Sequence, residues 1–279
     1  MSTPSQPPVT GNPWTQLRRF TAARIALGRA GISLPTQPQL AFQLAHAQAR
    51  DAVHLALDVD QLLQDVRDAN LLPGTECVVL DSAAASRLQY LQRPDLGRRL
   101  NHASVERLKS LPGASPASRP DVAFVLADGL SALAVAQNAV PLLVSVMRLM
   151  STDNYRVAPL VIVRQGRVAV GDEVAALLGA RLVVLLIGER PGLSSPDSLG
   201  AYLTWAPAVG LTDASRNCIS NIRPAGLNFD DAADKIRYLV TEMMRREVSG
   251  VALKDESQAP GALDQPVQRN FLLENGEGD

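Results

Sequence analysis

Three short runs constrain the fold more than anything else in the chain: VAFVLA (residues 122–127), PLVIV (159–163) and RLVVLLIG (181–188). A strand with one solvated face alternates polar and apolar residues, whereas a run without alternation has to be covered on both faces, as in a parallel sheet. Between the runs lie ALAVAQNAVPLLVSVMRLM and GDEVAALLGA, which carry the composition of crossover helices. Pro141, inside the first, is expected to start or kink a turn. LGAYLTWAP (199–207) predicts a fourth strand, and FDDAADKIRYLVTEMMRREVSG a long amphipathic final helix. The expected class is α/β, with a Rossmann-like, largely parallel sheet domain over residues 116–250.

A mainly helical region, residues 13–115, precedes it. WTQLRRFTAARIALGRAG reads as a helix beginning at Pro13, and the stretch from Pro38 to about Val66 as one or two more. ECVVLDS predicts a short strand, and residues 102–110 a helix. LPGASPASRP (111–120) is the best candidate boundary, because Pro, Gly and Ser punctuate rather than propagate regular structure. Residues 1–12 and 251–279 are expected to be disordered, since both lose periodicity and gain Pro, Gly and polar residues; FLL at 271–273 is the one apolar cluster of the tail that can dock.

Of 279 residues, 46% are hydrophobic but only 4% aromatic, so Leu, Val, Ala and Ile do most of the packing. A formal net charge of -1, without a dense Lys/Arg tract, argues against nucleic acid or anionic lipid as a partner. Neither a secretory signal nor an uninterrupted apolar stretch of membrane-spanning length is read in the sequence. The two cysteines, Cys77 and Cys218, fit a reducing cytoplasm rather than a disulfide framework or zinc cage.

In open α/β sheets, ligands bind beyond the carboxyl ends of the strands. Asp128-Gly129, Arg164-Gln165-Gly166-Arg167-Val168 and Glu189-Arg190-Pro191-Gly192 follow the three apolar runs there. Each is also ordinary turn chemistry. ADGLSALA has a single glycine where a dinucleotide fingerprint needs three, and no Walker-type loop occurs, so phosphate-dominated recognition is disfavoured. His46, His54 and His102 lack metal-ligand spacing, and no catalytic residue or metal ligand is assigned. Cys218, without a neighbouring histidine in sequence, reads as a small buried apolar residue. RPDLGRRL (93–100) reads either as an anion or carboxylate site or as a set of structural salt bridges.

LRRFTAARIALGRAG, YLQRPDLGRRL, ADGLSALAV, VRQGRVAVGDEVAALLGARLVVLLIGERPGL and RNCISNI, in this order over residues 13–250, resemble the small subunit of ethanolamine ammonia-lyase. The resemblance implies a hetero-oligomer with a large subunit that holds substrate and most catalytic groups. It also implies adenosylcobalamin as cofactor and deamination of ethanolamine to acetaldehyde and ammonia as the reaction. The family's cobalamin contacts carry over to Val168, Glu189 and Cys218. An ionised Glu189 would accept from an amide arm of the corrin, with Val168 and Cys218 giving small apolar or backbone contacts. No D-x-H-x-x-G motif is present, so the cofactor is expected base-on, without a histidine ligand from this chain. The resemblance also admits packaging into a bacterial microcompartment, which in some family members goes with a longer N-terminal segment; the twelve residues before Pro13 are Pro-rich and poorly suited to an amphipathic targeting helix. The competing readings are a non-catalytic cobalamin-binding or assembly protein and an independent Rossmann-type enzyme.

Overall fold

The computed structural model describes residues 9–71, 77–111 and 119–257. Six strands form one sheet: β1 (Val78–Asp81), β2 (Val122–Ala127), β3 (Val161–Arg164), β4 (Leu182–Gly188), β5 (Leu199–Trp205) and β6 (Arg216–Ile222). Their spatial order is β1-β3-β2-β4-β5-β6. The first four are parallel, and β5 and β6 continue the sheet antiparallel. The protein is α/β with a largely parallel sheet, as expected. The strand predicted in the helical region is β1, which pairs with β3, so the sheet draws in chain from before the boundary segment. Most of that segment, 112–118, lies outside the described residues, as do residues 1–8 and 258–279 with the FLL cluster.

Both faces of the sheet are covered, which is why the strands carry no alternation. Every residue of β2 and β4 is buried. Val122, Phe124 and Leu126, with Leu182, Val184 and Leu186, pack beneath α2 (Val59–Asp68), α5 (Ala132–Met150) and α7 (Phe229–Arg246). Ala123, Val125 and Ala127, with Val183, Leu185 and Ile187, pack beneath α4 (His102–Ser110) and α6 (Val170–Leu178). The two-residue period of the strands divides one apolar run between two cores.

The helix ends follow local chemistry. Ser131 caps α5 by accepting from the Ala134 N–H at 3.2 Å. Gly179 ends α6 in the left-handed conformation, φ 69°, which suits a residue without Cβ. Among the described residues, α5 alone is apolar and long enough to cross a membrane, but ten of its residues are buried and it packs as a core helix.

Two expectations need correction. Helix α5 runs through Pro141, and no turn starts there. Pro141 is on the exposed side, and the buried stripe from Ala132 to Met150 holds the helix despite the lost N–H donor. The N-terminal helix is only a 3-10 segment, Pro13–Arg19, with no buried residue. Without tertiary packing a helix this short is not sustained, and left-handed Ala26, Gly28 and Gly31 then interrupt the chain. The next two helices form as read, α1 (Thr36–His54) and α2. Between β1 and α4, a six-residue α3 (Arg87–Gln92) is capped by Ser86.

Candidate functional site

The carboxyl ends of β2, β3 and β4 open onto a cleft of about 270 Å³, lined by Tyr90, Gly129, Leu130, Arg167, Val168, Ile187, Gly188, Glu189, Arg190 and Tyr202. The backbone at its base is tightly fitted. Gly129 has φ +59°, and a Cβ there would stand 2.2 Å from the Gly188 carbonyl oxygen; one on Gly188 would stand 2.0 Å from that of Ser131. Only glycines let the exit of β2 cross the end of β4 this closely.

Glu189 leaves the sheet at the end of β4 with its backbone N–H donating to the Ser198 carbonyl at 3.0 Å. Its side chain accepts from Ser198 Oγ at 2.5 Å, Ser220 Oγ at 2.6 Å and the Asn221 N–H at 3.2 Å. A carboxylate offers about four lone-pair sites, so this one is oriented by three neutral donors and keeps an acceptor position for a ligand. The returning loop is fixed separately. Ser131 Oγ donates to the Pro196 carbonyl at 2.7 Å, and Asn138 Nδ2 to that of Asp197 at 2.7 Å. Arg24 reaches across from the N-terminal segment to the Leu193 carbonyl at 3.1 Å.

Beneath the cleft is a polar cluster contributed by α3 and the loops after β2 and β3. Tyr90 is fully buried and its hydroxyl donates to the Gly166 carbonyl at 3.3 Å. The Arg87 and Arg167 guanidiniums lie over its ring, 4.7 and 4.2 Å from the centroid. Burial holds the Tyr90 phenol above its ordinary range. Arg87 donates to the carbonyls of Val53 and Gly129, both at 2.8 Å, and lies 3.5 Å from Asp128. Asp128 is buried and accepts from the Gly166 N–H at 3.1 Å. Desolvation raises its carboxyl to about 6, against the opposing pull of Arg87 and the backbone donors. Gln165, at φ 57°, carries the strained conformation between these contacts.

Val168 and Glu189 both line the cleft. Cys218 does not, but it pairs across the β5–β6 ladder with Tyr202, which does. The two side chains are hydrogen-bonded. Cys218 is exposed, correcting the expectation of a buried residue, because β6 is the edge of the sheet. Its thiol is still raised, by desolvation from neighbouring groups and by the Glu189 charge, with the Tyr202 hydrogen bond opposing. RPDLGRRL forms structural salt bridges: Arg93 with Asp95, and Arg99 with Glu173 at 2.9 Å. His46, His54 and His102 are exposed on α1 and α4, and no cluster of metal-ligand type occurs among the described residues.

Sequence reasoning missed Tyr90, Arg87 and Tyr202. Tyr90 and Arg87 belong to a short helix without periodic signal, and Tyr202 sits mid-strand, where its facing depends on register. A lone aromatic beside the charged RPDLGRR was the only available signal.

Polar atoms at this end remain open. Among the described residues, the buried side-chain atoms without a partner are Arg87 Nη2, Gln165 Oε1, Arg167 Nε and Arg216 Nε. Three of the four belong to the cluster beneath the cleft. Unpaired buried donors and acceptors are costly, and here they concentrate beneath the cleft.

Residues 11–254 match the family model described as ethanolamine ammonia-lyase light chain (EutC). Proteins named ethanolamine ammonia-lyase small subunit are similar over nearly their whole length. That of Ralstonia nicotianae is 57% identical over 266 residues, 95% of this chain and 96% of the relative. The Azotobacter vinelandii protein is 56% identical over 274 residues, 97% and 98% of the two chains, and that of Pseudomonas paraeruginosa 55% over 263 residues, 94% of each. With the match spanning both the sheet and the segments that build the cleft, the chain belongs to the ethanolamine ammonia-lyase light chain family.

Proposed function

We propose that the cleft is one wall of an adenosylcobalamin site, completed by a large subunit, in an enzyme that deaminates ethanolamine to acetaldehyde and ammonia. The observation that carries this reading is the convergence of Val168, Glu189 and Tyr202, the cross-strand partner of Cys218, on one cleft from segments far apart in sequence. When bound, the cofactor supplies the radical chemistry, while the protein supplies binding, orientation and exclusion of side reactions.

The residues present suit a corrinoid. Leu130, Val168 and Ile187 offer apolar contact to a macrocycle. Glu189 offers an oriented acceptor, and the Arg167 guanidinium at the cleft wall offers donors of the kind amide arms satisfy. Pockets that enclose drug-sized ligands measure roughly 300–1,000 Å³. A cleft of about 270 Å³ therefore accommodates only part of a molecule as large as cobalamin. The remainder requires a second surface. Exposed Trp14, Phe20, Leu40 and Leu44 supply apolar area for such an association.

In this reading Glu189 holds an amide arm through its remaining lone pair, and the Ser198, Ser220 and Asn221 donors keep the carboxylate from rotating away. Val168 packs against the ring edge, at the end of a loop held by Asp128 and Tyr90. Glu189→Gln keeps the shape and removes the charge, and should weaken cobalamin binding by the assembled complex about tenfold, the loss of one charge-assisted hydrogen bond. Absorbance titration measures it. An unchanged dissociation constant in a folded complex counts against the reading. The cofactor is proposed base-on with respect to this chain. Electron paramagnetic resonance with isotope-labelled histidine should show no histidine coupling to cobalt, and such coupling would overturn that assignment.

A further inference from the structure

Two guanidiniums line the cleft, Arg167 and Arg190, against a single carboxylate, Glu189, which leaves one positive charge unmatched. The Glu189 carboxylate is engaged by neutral donors and forms no ion pair with either arginine. Arg190 is exposed and has no hydrogen-bond or ion-pair partner among the described residues. Arg167 is half-buried. Its Nη2 donates to the Tyr90 carbonyl at 3.2 Å, but its Nε has no partner. Its place is set from several directions: its guanidinium lies over the Tyr90 ring, and its backbone N–H donates to the Gly97 carbonyl at 2.7 Å. A Cβ on Gly97 would come within 2.7 Å of Arg167 Cγ, so the glycine makes room for the side chain.

A guanidinium carries five N–H donors and stays charged when half-buried, and its planar fork matches the oxygens of phosphate. We infer that Arg167 and Arg190 form an anion subsite of the cleft for a singly charged phosphodiester, specifically the one that joins the corrin of cobalamin to its nucleotide base. The amide arms of the corrin are neutral, whereas the phosphodiester is the anionic group of the cofactor and can pair locally with a guanidinium. Arg167 supplies the fixed, stacked donor, and Arg190, at the rim, supplies the mobile one. The assignment rests on the corrinoid reading of the cleft and adds to it which part of the cofactor faces these two side chains.

The test compares adenosylcobalamin with adenosylcobinamide, which lacks the phosphodiester and base, on the complex of this chain with its large subunit. Arg190→Gln and Arg167→Gln should each weaken adenosylcobalamin binding about tenfold and leave adenosylcobinamide within twofold, with Arg190→Lys recovering most of the loss. Arg190 makes no contact that the fold depends on, so it remains informative should Arg167→Gln impair folding. Equal weakening of both corrinoids, or of neither, overturns the subsite while leaving the corrinoid reading intact. A wild-type complex that binds neither corrinoid overturns that reading, and the subsite with it. Inorganic phosphate is titrated in parallel onto the corrinoid-free complex. Arg190-dependent phosphate binding with unchanged cobalamin affinity assigns the site to free phosphate and contradicts the proposal.

Discussion

Strand β2 has an aspartate at each end, and the two have opposite surroundings. At the amino end, Asp121 accepts from the Arg156 N–H at 3.0 Å and stands 3.4 and 3.5 Å from the Arg156 and Arg181 guanidiniums. Arg181 also covers the Trp205 ring at 5.0 Å. Desolvation pushes the Asp121 carboxyl up, but these donors outweigh it and hold it below the usual value. At the carboxyl end, burial wins: Asp128 is raised to about 6, and unpartnered polar atoms collect around it. One end of the sheet is closed by its own side chains. The other is stabilised less completely and leaves buried donors and acceptors unpaired, at the end of the strands where open α/β sheets bind ligands in general.

The largest effect that separates the ends is on stability. Asp121→Ala removes the partner of two guanidiniums and a backbone donor, and should cost about 1–2 kcal/mol in urea unfolding, discounted for the partly exposed arginines. Cobalamin affinity of the folded complex should not change. A loss of affinity would show that the two ends are not independent.

The second effect is smaller and concerns pH. A carboxyl raised in the fold binds more protons than in the unfolded chain, so its contribution is fully present below the unfolded value near 4 and is lost as pH rises towards about 6. Asp121 has the opposite sign, with its contribution present above the unfolded value and lost as pH falls below it. Asp128→Asn should therefore flatten the decline in stability between about pH 4 and 6 and leave the acid limb unaltered. A decline unchanged in Asp128→Asn would remove the contrast.

The sheet was legible where burial on both faces leaves no polar residue, as in VAFVLA and LVVLLIG. Strand β6 was not, because it is an edge. Arg216, Ile219 and Ile222 are buried at intervals of three, and the register shifts opposite Leu199 and Ala201, so no two-residue alternation survives. The same edge position exposes Cys218. In the site, Val168 and Glu189 were legible as strand exits, and their assignment to cobalamin came from family resemblance alone. The Arg87–Tyr90–Asp128 cluster was not legible. It forms only when α3 meets loops that follow some 40 to 75 residues later, and no local pattern records that meeting.

The contrast between the two ends is tested most directly by hydrogen exchange on the assembled complex, with and without cobalamin. Cobalamin should slow exchange at residues 165–168, 188–190 and 217–221 and leave it unchanged at 119–122, 156–158 and 181–182. Protection centred on the amino end, or none at the cleft while cobalamin is bound, would contradict that contrast.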